Sequence, residues 1–162
     1  MKQQYQFNFD SFEDINALPV NDAILLQEAR KITQKAYAPY SNFFVGAAAV
    51  MNNGEIVYGT NQENASYPVG MCAERALLAS ASMLQTDEPI NSIAISYNNL
   101  SGMGSSDKPV SPCGMCRQAL VEYEERTKQP IRLILSGMEG KVLVLETAAH
   151  LLPFGFGKDD ME

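Results

Sequence analysis

The chain is poor in residues on which several protein classes depend. It has three cysteines and one histidine among 162 residues. Three cysteines cannot all pair with one another, so a framework of disulfide bonds is excluded as the main source of stability. The single imidazole, His150, lies far downstream of the cysteines in Ala148-Ala149-His150, where it is most simply interpreted as an ordinary residue near a helix end.

Positive charge and long apolar runs are also scarce. Lys and Arg number 12 against 19 Asp and Glu, which gives a formal net charge of −7. Affinity for a polynucleotide comes mostly from Lys and Arg, so we expect no nucleic-acid partner. No apolar run approaches the roughly 20 residues that span a bilayer, and the polar start at residues 1–6 is not a signal peptide. We therefore expect a cytoplasmic protein with no membrane partner, in which thiols stay reduced.

Length and composition favour a single globular domain. Hydrophobic residues make up 46% of the chain, and a chain of this length buries one sizeable core rather than two. Tyr5, Phe7 and Phe9 alternate with polar residues, and we interpret residues 1–20 as an N-terminal arm or short edge strand. Residues 21–162 are expected to form the single domain.

The order of the predicted elements is typical of an α/β protein. Asn21 and Asp22 offer an N-cap for a helix that runs to Tyr37 and stops before Pro39. The other predicted elements are, in chain order, strands at 43–51 and 55–60 joined by a turn at 52–54, a helix after Cys72, a strand at 90–97, a helix at 114–127, strands at 131–135 and 142–145, and a short helix. This alternation predicts three layers, with helices on both faces of a five-stranded mixed sheet. Segment 98–108, rich in Gly, Ser and Asn, is the predicted mobile loop.

Two short segments hold all three cysteines, and each opens a predicted helix. They are Cys72-Ala73-Glu74-Arg75 and Ser111-Pro112-Cys113-Gly114-Met115-Cys116-Arg117. A catalytic zinc takes three protein ligands and leaves a fourth position for water. The pattern therefore predicts one Zn²⁺ per chain on Cys72, Cys113 and Cys116, with the Glu74 carboxylate close enough to act as a proton shuttle.

Each of these residues also has a structural interpretation. Glu74 alone would complement a helix dipole, and Cys113-x-x-Cys116 alone would suit a redox pair. A structural zinc module in an interaction protein would show a fourth protein ligand. Arg75 and Arg117 are either surface charges or donors of hydrogen bonds to the cysteine sulfurs, where they would offset the negative charge of three thiolates.

The motif is that of the zinc deaminases, in which Cys or His, x, Glu is followed by Pro-Cys-x-x-Cys and the Glu is not a ligand. Beyond the motif, the chain resembles the small homotetrameric cytidine deaminases over roughly residues 22–157. The matching segments are Ala38–Ser41, Phe43–Ala48, Asn61–Tyr67, Cys72–Arg75, Ser111–Gln118, Leu151–Pro153 and Phe156–Gly157.

The resemblance implies a five-stranded mixed sheet with the two metal-binding helices side by side on one face. It implies deamination of cytidine and deoxycytidine, with Glu74 moving protons to N3 and to the leaving amine. Asn61 and Glu63 would hold the ribose hydroxyls, whereas Phe43, Ala73 and Phe156 would contact the substrate, Phe156 from a neighbouring subunit of a tetramer. The alternative for Phe43 and Phe156 is the core, and for Asn61 and Glu63 a solvated strand end.

One alternative substrate class stays open at this point, since a relative of the same fold deaminates a cytosine-bearing antibiotic with a very similar motif. The eight methionines are interpreted as packing residues.

Overall fold

The computed structural model describes residues 1–84 and 88–161. Within them, three α-helices and six β-strands follow the predicted order, with short 3₁₀ turns between them. The helices are α1 (Val20–Ile32), α2 (Ala73–Leu84) and α3 (Gly114–Thr127), and the strands are β1 (Asp10–Phe12), β2 (Phe43–Met51), β3 (Ile56–Thr60), β4 (Ile90–Asn99), β5 (Arg132–Leu135) and β6 (Val142–Leu145). Over this part of the chain, every helix is too short or too polar to cross a membrane.

The sheet is mixed, as predicted, but it has six strands rather than five. Its order is β1-β6-β5-β4-β2-β3, in which β4 and β5 are parallel and all other neighbours are antiparallel. The additional strand comes from the N-terminal arm, where Asp10 pairs with Val144 and Phe12 with Val142. This is the short edge strand offered as one interpretation of residues 1–20, but it lies after the alternating Tyr5, Phe7 and Phe9 rather than among them. Its pairing satisfies an edge of β6 that would otherwise be unpaired.

The predicted three layers are confirmed. On one face of the sheet, α1 buries Leu25, Leu26 and Ala29 against Ala48 and Ile134. On the other face, α2 and α3 share one core with the sheet, whose members include Leu77, Ala81, Leu120, Ile93, Ile95 and Leu133. The two helices that carry the cysteine motifs therefore lie side by side on one face, as the resemblance implies.

The N-cap predicted for α1 is wrong. The helix begins at Val20 after Pro19, and Asn21 and Asp22 lie within its first turn. Proline fixes φ near the helical value and needs no hydrogen-bond acceptor, so the chain starts the helix earlier than the polar residues suggest. Asp22 instead accepts a hydrogen bond from Arg132 at 2.7 Å, which ties α1 to β5.

Two glycines let a helix approach the sheet closely. A Cβ atom on Gly59 of β3 would lie 2.2 Å from the carbonyl oxygen of Ala73, the first residue of α2. On the opposite face, a Cβ atom on Gly46 of β2 would lie 2.3 Å from the carbonyl oxygen of Ala29 in α1. Gly59 thus sets the distance between the sheet and the start of α2, next to Cys72.

The C-terminal segment is held against α3 by polar side chains. Glu124, which is buried, accepts hydrogen bonds from the backbone N–H groups of Ile131 and Ala148 at 2.6 and 2.9 Å. Gln118 donates to the carbonyl oxygen of Phe156 at 2.7 Å. From the other side, the ring of Phe7 in the N-terminal arm stacks on His150 at 5.1 Å. The segment that carries Phe156 is therefore fixed between α3 and the arm.

Substitution of Gly59 by alanine should displace the start of α2, because the new methyl group meets backbone atoms. We expect the free energy of unfolding to fall by about 1–3 kcal/mol and the folded protein to lose metal from the cysteine cluster. Chemical denaturation and metal analysis measure the two effects. Gly46→Ala is the matched control, since it overpacks α1 on the other face and should lower stability while metal content is kept. Equal metal retention in both variants would contradict this role of Gly59.

Candidate active site

The three cysteines meet at the N-terminal ends of α2 and α3. Cys72 immediately precedes α2, Cys113 is the N-cap of α3, and Cys116 lies in its first turn. The Sγ atoms of Cys72 and Cys113 are 3.7 Å apart, and those of Cys113 and Cys116 are 3.4 Å apart. All three cysteines are free of disulfides.

This donor set fits zinc. The three Sγ atoms lie within 4.8 Å of one another, and no histidine or carboxylate among residues 1–84 and 88–161 joins the group. Three soft thiolates without a fourth protein ligand are the composition of an open zinc site. A structural zinc module, which needs a fourth ligand, is therefore disfavoured. His150 lies outside the group and stacks on Phe7.

The electrostatics of the cluster favour an ionised thiol at Cys72. The pKa of Cys72 is lowered to about 6, first by a hydrogen bond from the Cys116 thiol and further by the Cys113 thiol and the charge of Arg75. The pKa of Cys116 is raised, because that thiol is hydrogen-bonded to Cys72 and is buried. The N-terminal ends of α2 and α3 each add roughly half a positive elementary charge at the same place.

Glu74, in the first turn of α2, is 5% exposed. Burial raises the pKa of its carboxyl group, while hydrogen bonds from its own backbone N–H and from the Cys116 thiol act in the opposite direction. A carboxylate that only complements the helix dipole gains nothing from burial, which is costly for a charged group. The position of Glu74 beside the thiols in a cavity is typical of an acid–base residue.

A cavity of about 410 Å³ opens in front of the cluster. The predicted site residues that line it are Phe43, Asn61, Glu63, Cys72, Ala73, Glu74 and Cys113. They come from β2, from the segment after β3, from α2 and from the start of α3. The fold thus brings together, in one cavity of the size of a small-molecule site, residues up to 70 positions apart in the sequence.

Asn61 and Glu63 line the cavity, and both are also held by hydrogen bonds within the chain. The Asn61 side chain accepts from the Val45 N–H at 2.7 Å and donates to the Phe43 carbonyl oxygen at 2.8 Å. One N–H and one lone pair of the amide stay available. The Glu63 carboxylate accepts from the backbone N–H groups of Tyr40 and Ser41 and from the Ser41 hydroxyl.

These contacts set the charge of Glu63. Burial acts to raise the pKa of its carboxyl group, but the hydrogen bonds from Ser41 and Tyr40 outweigh it and lower the pKa. Glu63 is therefore a fixed carboxylate that can accept hydrogen bonds from a ligand hydroxyl.

The predicted role of Arg117 as a donor to sulfur differs from its observed hydrogen bonds. Its guanidinium donates to the carbonyl oxygens of Pro112 and Leu151 at 2.8 and 3.0 Å. Arg117 thus fixes the backbone just before Cys113 and ties it to the C-terminal segment. Arg75 acts on the cluster through its charge, which lowers the pKa of Cys72.

Phe156 lies outside the cavity of its own chain. Its side chain is 59% exposed, and it does not line the cavity that contains Glu74. The predicted mobile loop does not line this cavity either. Its later part is fixed, since Ser106 accepts from the Asn99 N–H at 2.8 Å and packs on Gly137.

Sequence reasoning missed several residues that build the cavity. Met71 and Met115 line its wall, whereas the sequence alone predicts that the methionines are packing residues. Ser41 holds Glu63, and the Tyr97 ring stacks on Phe43. Ser41 belongs to a segment that carries the family resemblance, whereas the role of Tyr97 depends on strand register and gives no signal in the sequence.

Comparison with known proteins agrees with this geometry. A model of the cytidine and deoxycytidylate deaminase zinc-binding region matches residues 19–129, a span that includes all three cysteines and Glu74. Cytidine deaminases from Sporosarcina psychrophila and Halalkalibacterium halodurans are 34% and 35% identical to this chain. Each match covers 85% of this chain, and 92% and 96% of the respective relative.

The chain is also similar to solved structures of cytidine deaminases. The crystal structure of a cytidine deaminase from Burkholderia pseudomallei has a TM-score of 0.70 and 40% identity, over 82% of this chain and 97% of that one. The cytidine deaminase from Mycobacterium tuberculosis has a TM-score of 0.64 and 27% identity, over 86% of this chain and 99% of that one. The N-terminal arm up to residue 18 precedes the span of the family model.

We expect the purified protein to carry one zinc ion per chain, because three thiols converge and the helix ends favour their ionised forms. Replacing Cys72, Cys113 or Cys116 by serine should remove most of the metal, as measured by elemental analysis. His150→Ala is the control and should keep it. Retention of zinc in the serine variants, or X-ray absorption showing four protein ligands, would contradict the predicted site.

Proposed function

The chain belongs to the cytidine and deoxycytidylate deaminase family, and from this premise we propose that it hydrolyses cytidine and deoxycytidine to uridine and deoxyuridine plus ammonia, a reaction of pyrimidine salvage. One observation carries the proposal. The buried carboxylate of Glu74 lies in the same cavity as two thiols of an open three-cysteine cluster. A nucleophilic water beside the cluster would thus have an acid–base group at hand.

The cysteines and Glu74 have different roles in the proposed reaction. Zinc bound to Cys72, Cys113 and Cys116 would supply Lewis-acid activation of the water molecule. Glu74 would take a proton from that water and deliver it to N3 of the cytosine ring, which makes C4 electrophilic. The oxygen of that water would then form a bond to C4. As the bond between C4 and the exocyclic nitrogen breaks, Glu74 would pass the remaining proton of this oxygen to the leaving amine. Water and the nucleoside are consumed, and ammonia and the uracil nucleoside are released.

The rest of the cavity favours a nucleoside. Glu63 is a carboxylate fixed by three hydrogen bonds from Tyr40 and Ser41, and the remaining lone pair of its Oε1 suits a ribose hydroxyl. Asn61 has one free amide N–H beside it. Phe43 offers an aromatic face for the pyrimidine, and Ala73 leaves space beside Glu74. A cytosine-bearing molecule without a sugar would leave Glu63 without a ligand partner.

Polynucleotides do not fit this site. A 3′-phosphate placed where the ribose hydroxyl would lie is repelled by the Glu63 carboxylate, by a few kcal/mol where screening is poor. The net charge of −7 also provides no excess of Lys and Arg to bind the backbone. We therefore propose free nucleosides as the substrates.

The exposed position of Phe156 supports a homotetramer with shared active sites. The chain's apolar surface includes Tyr67, which lines the cavity and is 77% exposed, and Val69, which is 64% exposed. Apolar side chains that are exposed to water in this region favour contact with another chain. A neighbouring subunit would place its Phe156 over the substrate. Because the ligand cysteines must stay reduced, we propose that the assembly acts in the cytoplasm.

Glu74→Gln keeps the size of the side chain and removes the proton acceptor. We expect turnover of cytidine to fall by about 10²–10⁴-fold, the range for general acid–base residues, with zinc content unchanged. The loss of nucleoside absorbance measures turnover. Glu122→Gln, at an exposed position of α3, is the matched control and should behave like the wild type. Near-normal turnover in Glu74→Gln, or wild-type activity on an oligonucleotide equal to that on cytidine, would contradict the proposal.

Mixing two variants tests whether the active sites are shared. Phe156→Ala and Glu74→Gln should each have low activity. In tetramers assembled at random from equal amounts of the two variants, about a quarter of the sites should be active. These are the sites at which the Phe156→Ala chain supplies Glu74 and the neighbouring Glu74→Gln chain supplies Phe156. Coexpression followed by light scattering and the deamination assay measures assembly and activity together. An active monomer of 17.8 kDa, or no recovery in mixed tetramers, would refute the shared site.

A further inference from the structure

The ring of Phe43 is supported from behind by a second aromatic ring. The rings of Phe43 and Tyr97 are stacked, with centroids 4.7 Å apart and planes inclined by 16°. Phe43 is half-buried and lines the cavity. Tyr97 is 6% exposed and does not line it. One face of Phe43 is therefore left for a ligand, while the other is covered by Tyr97.

Strand register produces this pair. β2 and β4 are antiparallel, with Val45 opposite Tyr97 and Phe43 opposite Asn99. Phe43 and Tyr97 are thus diagonal neighbours on the same face of the sheet, a distance that aromatic side chains can bridge. The face is that of α2, α3 and the cysteine cluster, since Ile95 follows the same alternation and also lines the cavity.

Hydrogen bonds fix the backbone of Phe43 and the hydroxyl group of Tyr97. The Phe43 backbone N–H donates to the Ser41 hydroxyl at 3.0 Å, and its carbonyl oxygen accepts from Asn61 at 2.8 Å. The Tyr97 hydroxyl donates to the carbonyl oxygen of Ser105 at 3.3 Å. The Tyr97 ring therefore lies between Phe43 and a fixed part of segment 98–108.

We infer that Tyr97 is a positioning residue for the substrate base and acts through Phe43, an inference that rests on the proposed function. Once its backbone is fixed, a phenylalanine ring can still turn about its side-chain torsions. The parallel Tyr97 ring restricts that turning and holds Phe43 in the plane in which a pyrimidine stacks on it. A correctly stacked base presents C4 and N3 to the water and to Glu74, and small errors of placement reduce the rate.

Removing the ring at position 97 should weaken substrate binding more than it affects the chemical step. For Tyr97→Leu we expect KM for cytidine to rise by about three- to tenfold, in line with the strength of aromatic pairs, with a smaller change in kcat. Tyr97→Phe keeps the ring and loses the bond to Ser105, so its KM should stay within about twofold of the wild type. Tyr97→Met, which fills more of the space than leucine, serves as the second ringless variant if Tyr97→Leu does not fold.

A double-mutant cycle separates positioning from general stability. In a Phe43→Leu background there is no ring for Tyr97 to hold, so Tyr97→Leu should raise KM by less than about twofold there. Tyr123→Leu is the matched control, because Tyr123 is a buried tyrosine on α3 whose hydroxyl bonds the Glu88 carbonyl oxygen. It should lower the melting temperature as Tyr97→Leu does, without raising KM.

Fluorine NMR reports on the contact without any enzyme activity. With 4-fluorophenylalanine incorporated, the resonance of Phe43 is the one that disappears in Phe43→Leu. In the protein without substrate, this resonance should move in Tyr97→Leu and stay in Tyr123→Leu.

The outcomes distinguish the two proposals. A wild-type protein that does not deaminate cytidine contradicts the proposed function, and the NMR shift then still decides whether Tyr97 holds Phe43. An active wild type in which the ringless variants leave KM unchanged, or raise it equally with and without Phe43, overturns the role of Tyr97 alone.

Discussion

Three thiol groups within 4.8 Å of one another impose the main electrostatic constraint on this protein. Thiolates at such distances repel one another strongly unless positive charge is near. Bound zinc supplies most of that charge, and the N-terminal ends of α2 and α3 add roughly half an elementary charge each. Both helices must therefore begin at the same point in space, although their first residues are 41 positions apart in the sequence. The fold can be understood as the means of bringing these two helix ends together.

Contacts outside the cysteines fix where α2 and α3 begin. Gly59 allows the carbonyl oxygen of Ala73 to lie against β3, so the start of α2 is set by backbone contact rather than by adaptable side chains. Arg117 fixes the backbone before Cys113 through the carbonyl oxygen of Pro112. Because neither contact involves the cysteines themselves, the positions of the sulfurs are determined largely by the scaffold. Such support from outside the ligand set is what a precise site needs.

The side chains on the substrate side of the cavity are also held in place by neighbouring residues. Asn61 fixes the backbone of Phe43, Tyr97 supports its ring, and Ser41 holds Glu63. The side chains that would meet a nucleoside are thus held before any ligand binds, which reduces the entropy lost on binding. Among the described residues proposed to contact the substrate, Phe156 is the one that does not line the cavity of its own chain. Its exposed position is the basis of the proposal that a second chain completes the cavity.

The sequence by itself determined the order of elements, the bounds of β2, β6 and α3, the three-layer architecture and the three cysteines that form the cluster. These depend on local patterns, namely apolar periodicity, turn residues and the spacing of three cysteines. Only the tertiary structure decided the position and partner of the sixth strand, the acceptors of Arg117 and the stacking of Tyr97 on Phe43. Strand β1 is three residues long, Arg117 bonds backbone carbonyls that any residue could supply, and Tyr97 reaches Phe43 through the register of two strands 47 positions apart. None of these contacts leaves a pattern along the chain, because each depends on which distant segments the folded sheet places side by side.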